Sequence, residues 1–507
     1  MSEQEKLFQQ FPPVSTKDWI EKINSDLKGA DFDEKLIWKT NEGFNVKPFY
    51  RNEDTQNLPF ISAPTGDYPF VRGNRTSGNC WLIRQNIEAG DFEAANKKAL
   101  DVLMSGADSV GFIIDNSESI NDKNIETLLK GIYYEGAEIN FIPNGGAREL
   151  ISILSEKLKS ENKDLSLLRG SVETDPLGRL MVNGNICIPV EAGLDYLTAL
   201  VRESEPFANF RTIRVNGSNF TNAGADTVKE LAFTLSMANE YLSQLTERGI
   251  SADLAASKIC FTFGIGSNYF FEIAKLRAAR LLWPGIVSKY EPVDRNVCRM
   301  NIHSVTGRWN KTLFDPHVNL LRTQTEAMSA ILGGADSVTV EPFDIVFRQP
   351  NEFSERIARN QQLLLKEEAY FDKTADPAVG SYYIENLTSL IAGSAWKLFV
   401  EIENNGGFLT SLKSGIIQKM TKDSGSKRKN DIAGKKEILL GTNKYPDLSE
   451  KVSPNADLTR LLKVSDNSDE NIVEPLDLSR GAEELEKLRL TSPEAFKNKI
   501  GNKIVHE

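Results

Sequence analysis

The sequence predicts an α/β chain folded as a (β/α)8 TIM barrel. Short β-rich apolar runs alternate with helical patterns from about residue 107 onward, at intervals of roughly 30 to 45 residues, as a ring of βα units requires. The run from Phe261 to Trp283 reads without interruption as a buried strand, a Gly-rich turn and a long helix. In that helix Phe271, Ala274, Ala278 and Leu281 form an apolar stripe, while Glu272 and Lys275 lie on the other face, spaced to pair. Gly264 and Gly266 at the turn lack the third glycine of a dinucleotide fingerprint, which disfavours the rival doubly wound sheet. Taken alone, they read as a tight strand-to-helix turn that lets backbone approach a ligand.

The elements follow in order. Residues 1–60 form an N-terminal arm with a short amphipathic helix, Asp18–Leu27. Trp38, Phe44, Phe49 and Tyr50 are too apolar for a free tail, so the arm packs either on its own barrel or on a second subunit. Residues 61–408 are assigned to the barrel. Its expected strands are Ser109–Ile114, Glu138–Ile142, Leu168–Glu173, Phe210–Val215, Lys258–Phe263, Asn301–Val305 and Asp336–Val340, with Tyr382–Ile384 as a weaker eighth. Helices are expected at Phe92–Met104, before the first of these, and at Val228–Thr246 and Val318–Leu332. Residues 409–446 read as a helical, basic linker, with Ser411–Met420 helical and Lys422, Lys427, Arg428, Lys429, Lys435 and Lys436 following. Residues 447–507 read as a polar, partly disordered tail, acidic at Ser465–Glu474, with one helix at Gly481–Leu490.

Composition excludes several classes. A net charge of −11 argues against nucleic-acid and anionic-membrane binding over most of the surface. No apolar stretch approaches the length of a membrane span, and the N-terminus lacks a signal pattern, so a cytoplasmic location is expected. Cys80, Cys187, Cys260 and Cys298 form no Cys-x-x-Cys pair; Cys187 and Cys260 sit in strand-like runs and are expected to be buried free thiols. No zinc site, Ser/His/Asp triad or P-loop is present, and no metal is expected. Asp315 and His317 read as a helix-capping Asp before Pro316 and a surface His, and Glu367–Glu368 as solvated.

The Phe261–Trp283 run closely resembles a signature of the methylmalonyl-CoA mutase family. Tyr68-Pro-Phe-Val-Arg-Gly73, Trp81-Leu-Ile-Arg-Gln85, Asn222-Ala-Gly-Ala-Asp226, Arg356-Ile-Ala-Arg-Asn360 and Asp376-Pro-Ala-Val-Gly-Ser381 repeat the likeness in the family's order. The resemblance spans roughly residues 35 to 445 and implies the same barrel fold. It implies rearrangement of methylmalonyl-CoA and succinyl-CoA by an adenosylcobalamin radical, with the barrel holding acyl-CoA. A separate domain carries cobalamin through an Asp-x-His-x-x-Gly motif, and the family arm wraps a second subunit. Against this background the basic linker could meet a CoA phosphate or an acidic partner face, although a solvated surface is the default reading.

The departures sit where the chemistry should be. The three histidines, His303, His317 and His506, all lie outside the cobalamin motif, and no complete cobalamin domain is expected within these residues. The family's Arg-Gln-Tyr reads Arg84-Gln85-Asn86, so the substrate-facing Tyr is lost. Its Gly-Thr-Ile-Gln-Asn-Asp reads Gly170-Ser-Val-Glu-Thr-Asp175, with Glu173 in the Gln position. Its Ser-Gly-Tyr-His-Met reads Asn216-Gly-Ser-Asn-Phe220, so Ser218 and Asn219 replace Tyr and His, and its His-Thr-Asn-Ala reads Val338-Thr-Val-Glu341. Asn219 can donate a neutral hydrogen bond to a thioester carbonyl but cannot share an imidazolium charge. The resemblance therefore implies a small, non-catalytic subunit paired with a homologous large chain that carries the cofactor. The alternatives are an active acyl-CoA mutase barrel supplied with cobalamin by another chain, or a regulatory barrel that binds acyl-CoA.

Overall fold

The computed structural model describes residues 11, 13–452, 456–457 and 471–501. Eight parallel strands close into one barrel: β1 Leu82–Glu88, β2 Ser109–Ile114, β3 Glu138–Pro143, β4 Gly170–Thr174, β5 Phe210–Asn216, β6 Ile259–Ile265, β7 Ile302–Thr306 and β8 Ser337–Thr339. β8 pairs with both β7 and β1, through Val338 to Ser304 and to Ile83, which closes the ring. The (β/α)8 expectation holds, with one strand reassigned. Tyr382–Ile384 is not a strand; it opens the helix Tyr382–Asn404, whose Ile384, Leu387, Ile391 and Ala395 are buried at helical spacing. The missing strand is β1, whose Ile83 and Ile87 face the outer helices while Arg84 and Asn86 point inward. A polar inward face broke the apolar signature on which strand recognition depends.

Outer helices form where the 3.6-residue period predicts them, at Phe92–Met104, Thr227–Glu247 and Val318–Leu332. The helix Tyr269–Val287 is buried on nearly all sides. Its Glu272–Lys275 pair forms at 2.5 Å inside the molecule, where Lys275 also meets Glu230 at 2.5 Å. Cys260 is buried in β6 as expected, but Cys187 is exposed, because its apolar run is a loop after the helix Pro176–Asn183. Asp315 does not cap the following helix: it sits at φ +50°, and its N–H donates to Glu450 at 2.8 Å. His317 is exposed and stacks against Phe343 at 5.4 Å.

Trp38, Phe44 and Tyr50 of the arm rest on the chain's own barrel, while Phe49 meets Trp19 within the arm at 6.0 Å. A small hairpin pairs Trp38 with Val46, and Phe44 and Trp38 lie 5.7 and 5.2 Å from the Phe271 ring. Tyr50 meets Tyr383 at 5.8 Å. The helix Thr16–Asp26 buries none of its residues, and Trp38 stays 48% exposed. In the linker, Gly415 at φ +77° divides the expected helix into Gly407–Lys413 and Ile416–Ala433.

The described part of the tail docks on the molecule. Ala482, Leu485, Phe496 and Ile500 form a small core with Ile432 and Leu439, and Arg480 pairs with Glu486 at 2.7 Å. Most of the acidic stretch Ser465–Glu474 lies outside the described residues. Among the described residues no helix is long and apolar enough to cross a membrane, and no cluster of His, Cys, Asp and Glu is arranged to hold a metal ion.

Candidate functional site

Alternation along the strands sends polar residues into the barrel axis. Asn140 on β3 donates to Ser109 Oγ at 3.0 Å and accepts from Ser171 Oγ at 2.7 Å, joining β2, β3 and β4. At the next level a charged bridge crosses the lumen. Arg84 Nη1 meets Glu173 Oε1 at 2.8 Å, and Arg214 pairs with the other Glu173 oxygen. Arg84 Nε donates to Asn86 Oδ1 at 3.0 Å, and Arg214 Nε donates to Thr262 Oγ1 at 2.9 Å. The β4–β5 register shifts between Ser171 and Thr174, so an irregular segment delivers the Glu173 carboxylate. Gly111 makes room for Arg84: a Cβ there would stand 2.8 Å from Nη2 and 2.3 Å from Asn86 Oδ1.

The bridge fixes local protonation. Burial would push the Glu173 carboxyl up, but Arg214 and Arg84 hold it below the ordinary carboxylate range. His303 on β7 lies in the same layer, with Nδ1 2.8 Å from Ser337 Oγ. Burial, then Arg84 and Arg214, depress its pKa well below the usual imidazole value, so it is neutral.

Three cavities open around the C-terminal ends of the strands. One of about 840 Å³ lies over β3 to β5 and is lined by Glu173, Arg214, Asn216 and Asn219 with an apolar wall that includes Ile142, Ile188 and Tyr196. A second, of about 260 Å³, lies over β8 and β1 and is lined by Arg84, Asn86, Thr339, Arg308 and Glu341. The third, of about 530 Å³, lies between the arm hairpin, the Gly266–Asn268 turn and the basic helix Ile416–Ala433, and Glu42, Asp226 and Glu230 line it. Burial and then Asp226 push Glu42 up to about 7. Burial likewise raises Glu230, against the pull of Lys275.

The four positions singled out in the sequence therefore separate. Glu173 is the centre of the bridge, Asn86 caps Arg84 on the β1 side, and Asn219 faces the cavity on the β5 side. Ser218 donates to Asn216 Oδ1 at 2.7 Å. Arg84 and Arg214, the arms of the bridge, were not singled out, though Arg214 is a charged residue set in a strand between the apolar Ile213 and Val215. The arrangement holds charge in place; among the described residues no imidazole lines the cavities over β3 to β5 and over β8 and β1.

A closed ring of eight parallel strands with a polar axis defines a (β/α)8-barrel protein. The sequence profile described as methylmalonyl-CoA mutase matches residues 39–122 and 116–489. The chain belongs to the methylmalonyl-CoA mutase family. It is 45% identical to the methylmalonyl-CoA mutase small subunit of Porphyromonas gingivalis, over 98% of this chain and 80% of that protein. It is 31% identical to the methylmalonyl-CoA mutase of Rhizobium meliloti, over 85% of this chain and 64% of that protein. The human mitochondrial enzyme is 30% identical over 87% of this chain and 62% of its own length.

The family's chemistry depends on cobalamin, and the resemblance would have its cobalt held by a histidine in an Asp-x-His-x-x-Gly motif. The described histidines do not fit that need. His303 is buried in the lumen on Ser337, and His317 lies outside against Phe343. His506 lies outside the described residues.

Proposed function

We propose that this chain is the small, non-catalytic subunit of a heterodimeric, adenosylcobalamin-dependent methylmalonyl-CoA mutase. Its partner is a homologous large chain that carries the cofactor and performs the rearrangement. The observation that carries this reading is the Arg84–Glu173–Arg214 bridge across the barrel axis. An acyl chain threaded along that axis would have to break a buried ion cluster. Asn219, at the strand end where the resembling enzymes place a histidine, adds no proton donor of near-neutral pKa. The likeness to a chain named a small subunit supports the same assignment.

Barrel framework without reactive groups is what a structural partner requires. The exposed helix Thr16–Asp26 and the half-exposed Trp38 are the surfaces assigned to the large chain. The test is reconstitution. The chain is mixed with a large homologue, adenosylcobalamin and methylmalonyl-CoA, and complex formation and turnover are measured. A stable complex in which turnover belongs to the large chain is expected; failure to associate would overturn the assignment.

A further inference from the structure

The bridge is unbalanced. Arg84 and Arg214 bring two positive charges to the single charge of Glu173, and neutral His303 adds none. Asp175, the further carboxyl near Arg214, is engaged by the Tyr241 hydroxyl at 2.6 Å and the Gly178 N–H at 2.8 Å. On the β1 side the compensation is incomplete. Arg84 is only 4% exposed, yet its Nη2 has no hydrogen-bond partner, and neither has Thr339 Oγ1, on a residue 7% exposed. Both residues line the cavity of about 260 Å³. A buried guanidinium edge left half satisfied is unfavourable, and an oxyanion would complete it.

The geometry of that edge names the ligand class. Nε and Nη2 are the two donors of a guanidinium's side edge, which matches a carboxylate in two parallel hydrogen bonds. Asn86 Oδ1 now accepts from Nε alone, as half of a carboxylate would. We propose that this cavity is a binding site for a small carboxylate, which displaces the Asn86 carboxamide and engages both Arg84 donors. Around it Lys98 pairs with Glu355 and Arg308 with Glu341, and Glu88 and Arg359 add one charge of each sign, so the rim is close to neutral. The rim therefore admits a small acid of acetate size better than a highly charged anion. The site stands whether or not the partner assignment holds, because it uses only this chain's residues.

The experiment follows the unfolding midpoint of the purified chain in sodium acetate against sodium chloride at equal ionic strength, and measures line broadening of isotope-labelled acetate by NMR. The expected result is a saturable midpoint rise and broadening with acetate only. Asn86→Asp places a carboxylate on the Arg84 edge internally; it is expected to raise the midpoint without acetate and to weaken acetate binding by about tenfold or more. Asn86→Ala should keep the acetate response. No difference between acetate and chloride in the wild type would overturn the proposal, as would an undiminished acetate response in Asn86→Asp.

Discussion

Glu173 shows how one side chain can decide what a lumen does. Replacing it with Gln restores the residue type of the resembling enzymes but leaves Arg84 and Arg214 facing each other without a countercharge. Breaking a buried ion cluster this way typically destabilises by about 3–5 kcal/mol. Glu173→Gln should therefore lower the midpoint of denaturant unfolding markedly and add no mutase activity. Gly111→Ala tests the same cluster by size alone. Its Cβ would fall 2.3 Å from Asn86 Oδ1, so the carboxamide must move, with an expected loss of about 1–3 kcal/mol in the same measurement. At this scale the sequence was legible as a set of departures: Asn86, Glu173, Ser218 and Asn219 each stood in a recognisable motif. What replaced the lost chemistry was not legible, because Arg84 and Glu173 are distant in sequence and only barrel closure brings them together.

Among the elements, the arm hairpin carries a titration. Glu42 lines the cavity it shares with Asp226 and Glu230, and its folded pKa of about 7 lies above the ordinary carboxylate value. A raised carboxyl pKa means the folded state holds more protons than the unfolded one between pH ~4.5 and ~7. The stability it contributes is full below that window and is lost as pH rises through 7. Glu42→Gln should unfold at a higher temperature than wild type at pH 8, with the difference shrinking toward pH 5. Thermal scans across that range check it. Elements with a clean period, such as Val318–Leu332, were read from the sequence to the residue. Tyr382–Ile384 misled because Tyr and Ile favour strands, whereas Ser381 caps a helix there by accepting from the Ile384 N–H at 3.4 Å.

For the whole molecule, the barrel is extended at both ends rather than left bare. The segment 471–501 reaches from Gly184, which accepts from the Ile472 and Val473 N–H groups, to Trp309, which accepts from Gly481. Arg480 fastens it by donating to the Lys311 carbonyl at 2.9 Å, and its ion partner Glu486 accepts from the Leu313 N–H at 2.6 Å. Arg480→Ala would leave Glu486 buried without its ion partner, so early proteolytic cleavage within 471–501 is expected while the barrel stays intact. Polar composition hid this docking, since its core is only six buried apolar residues spread over two distant segments.

Retained architecture and a closed axis lead to one expectation about chemistry. The most direct measurement is the conversion of methylmalonyl-CoA to succinyl-CoA by the purified chain alone with saturating adenosylcobalamin. No turnover above the protein-free rate is expected, and sustained turnover by the isolated chain would contradict the account.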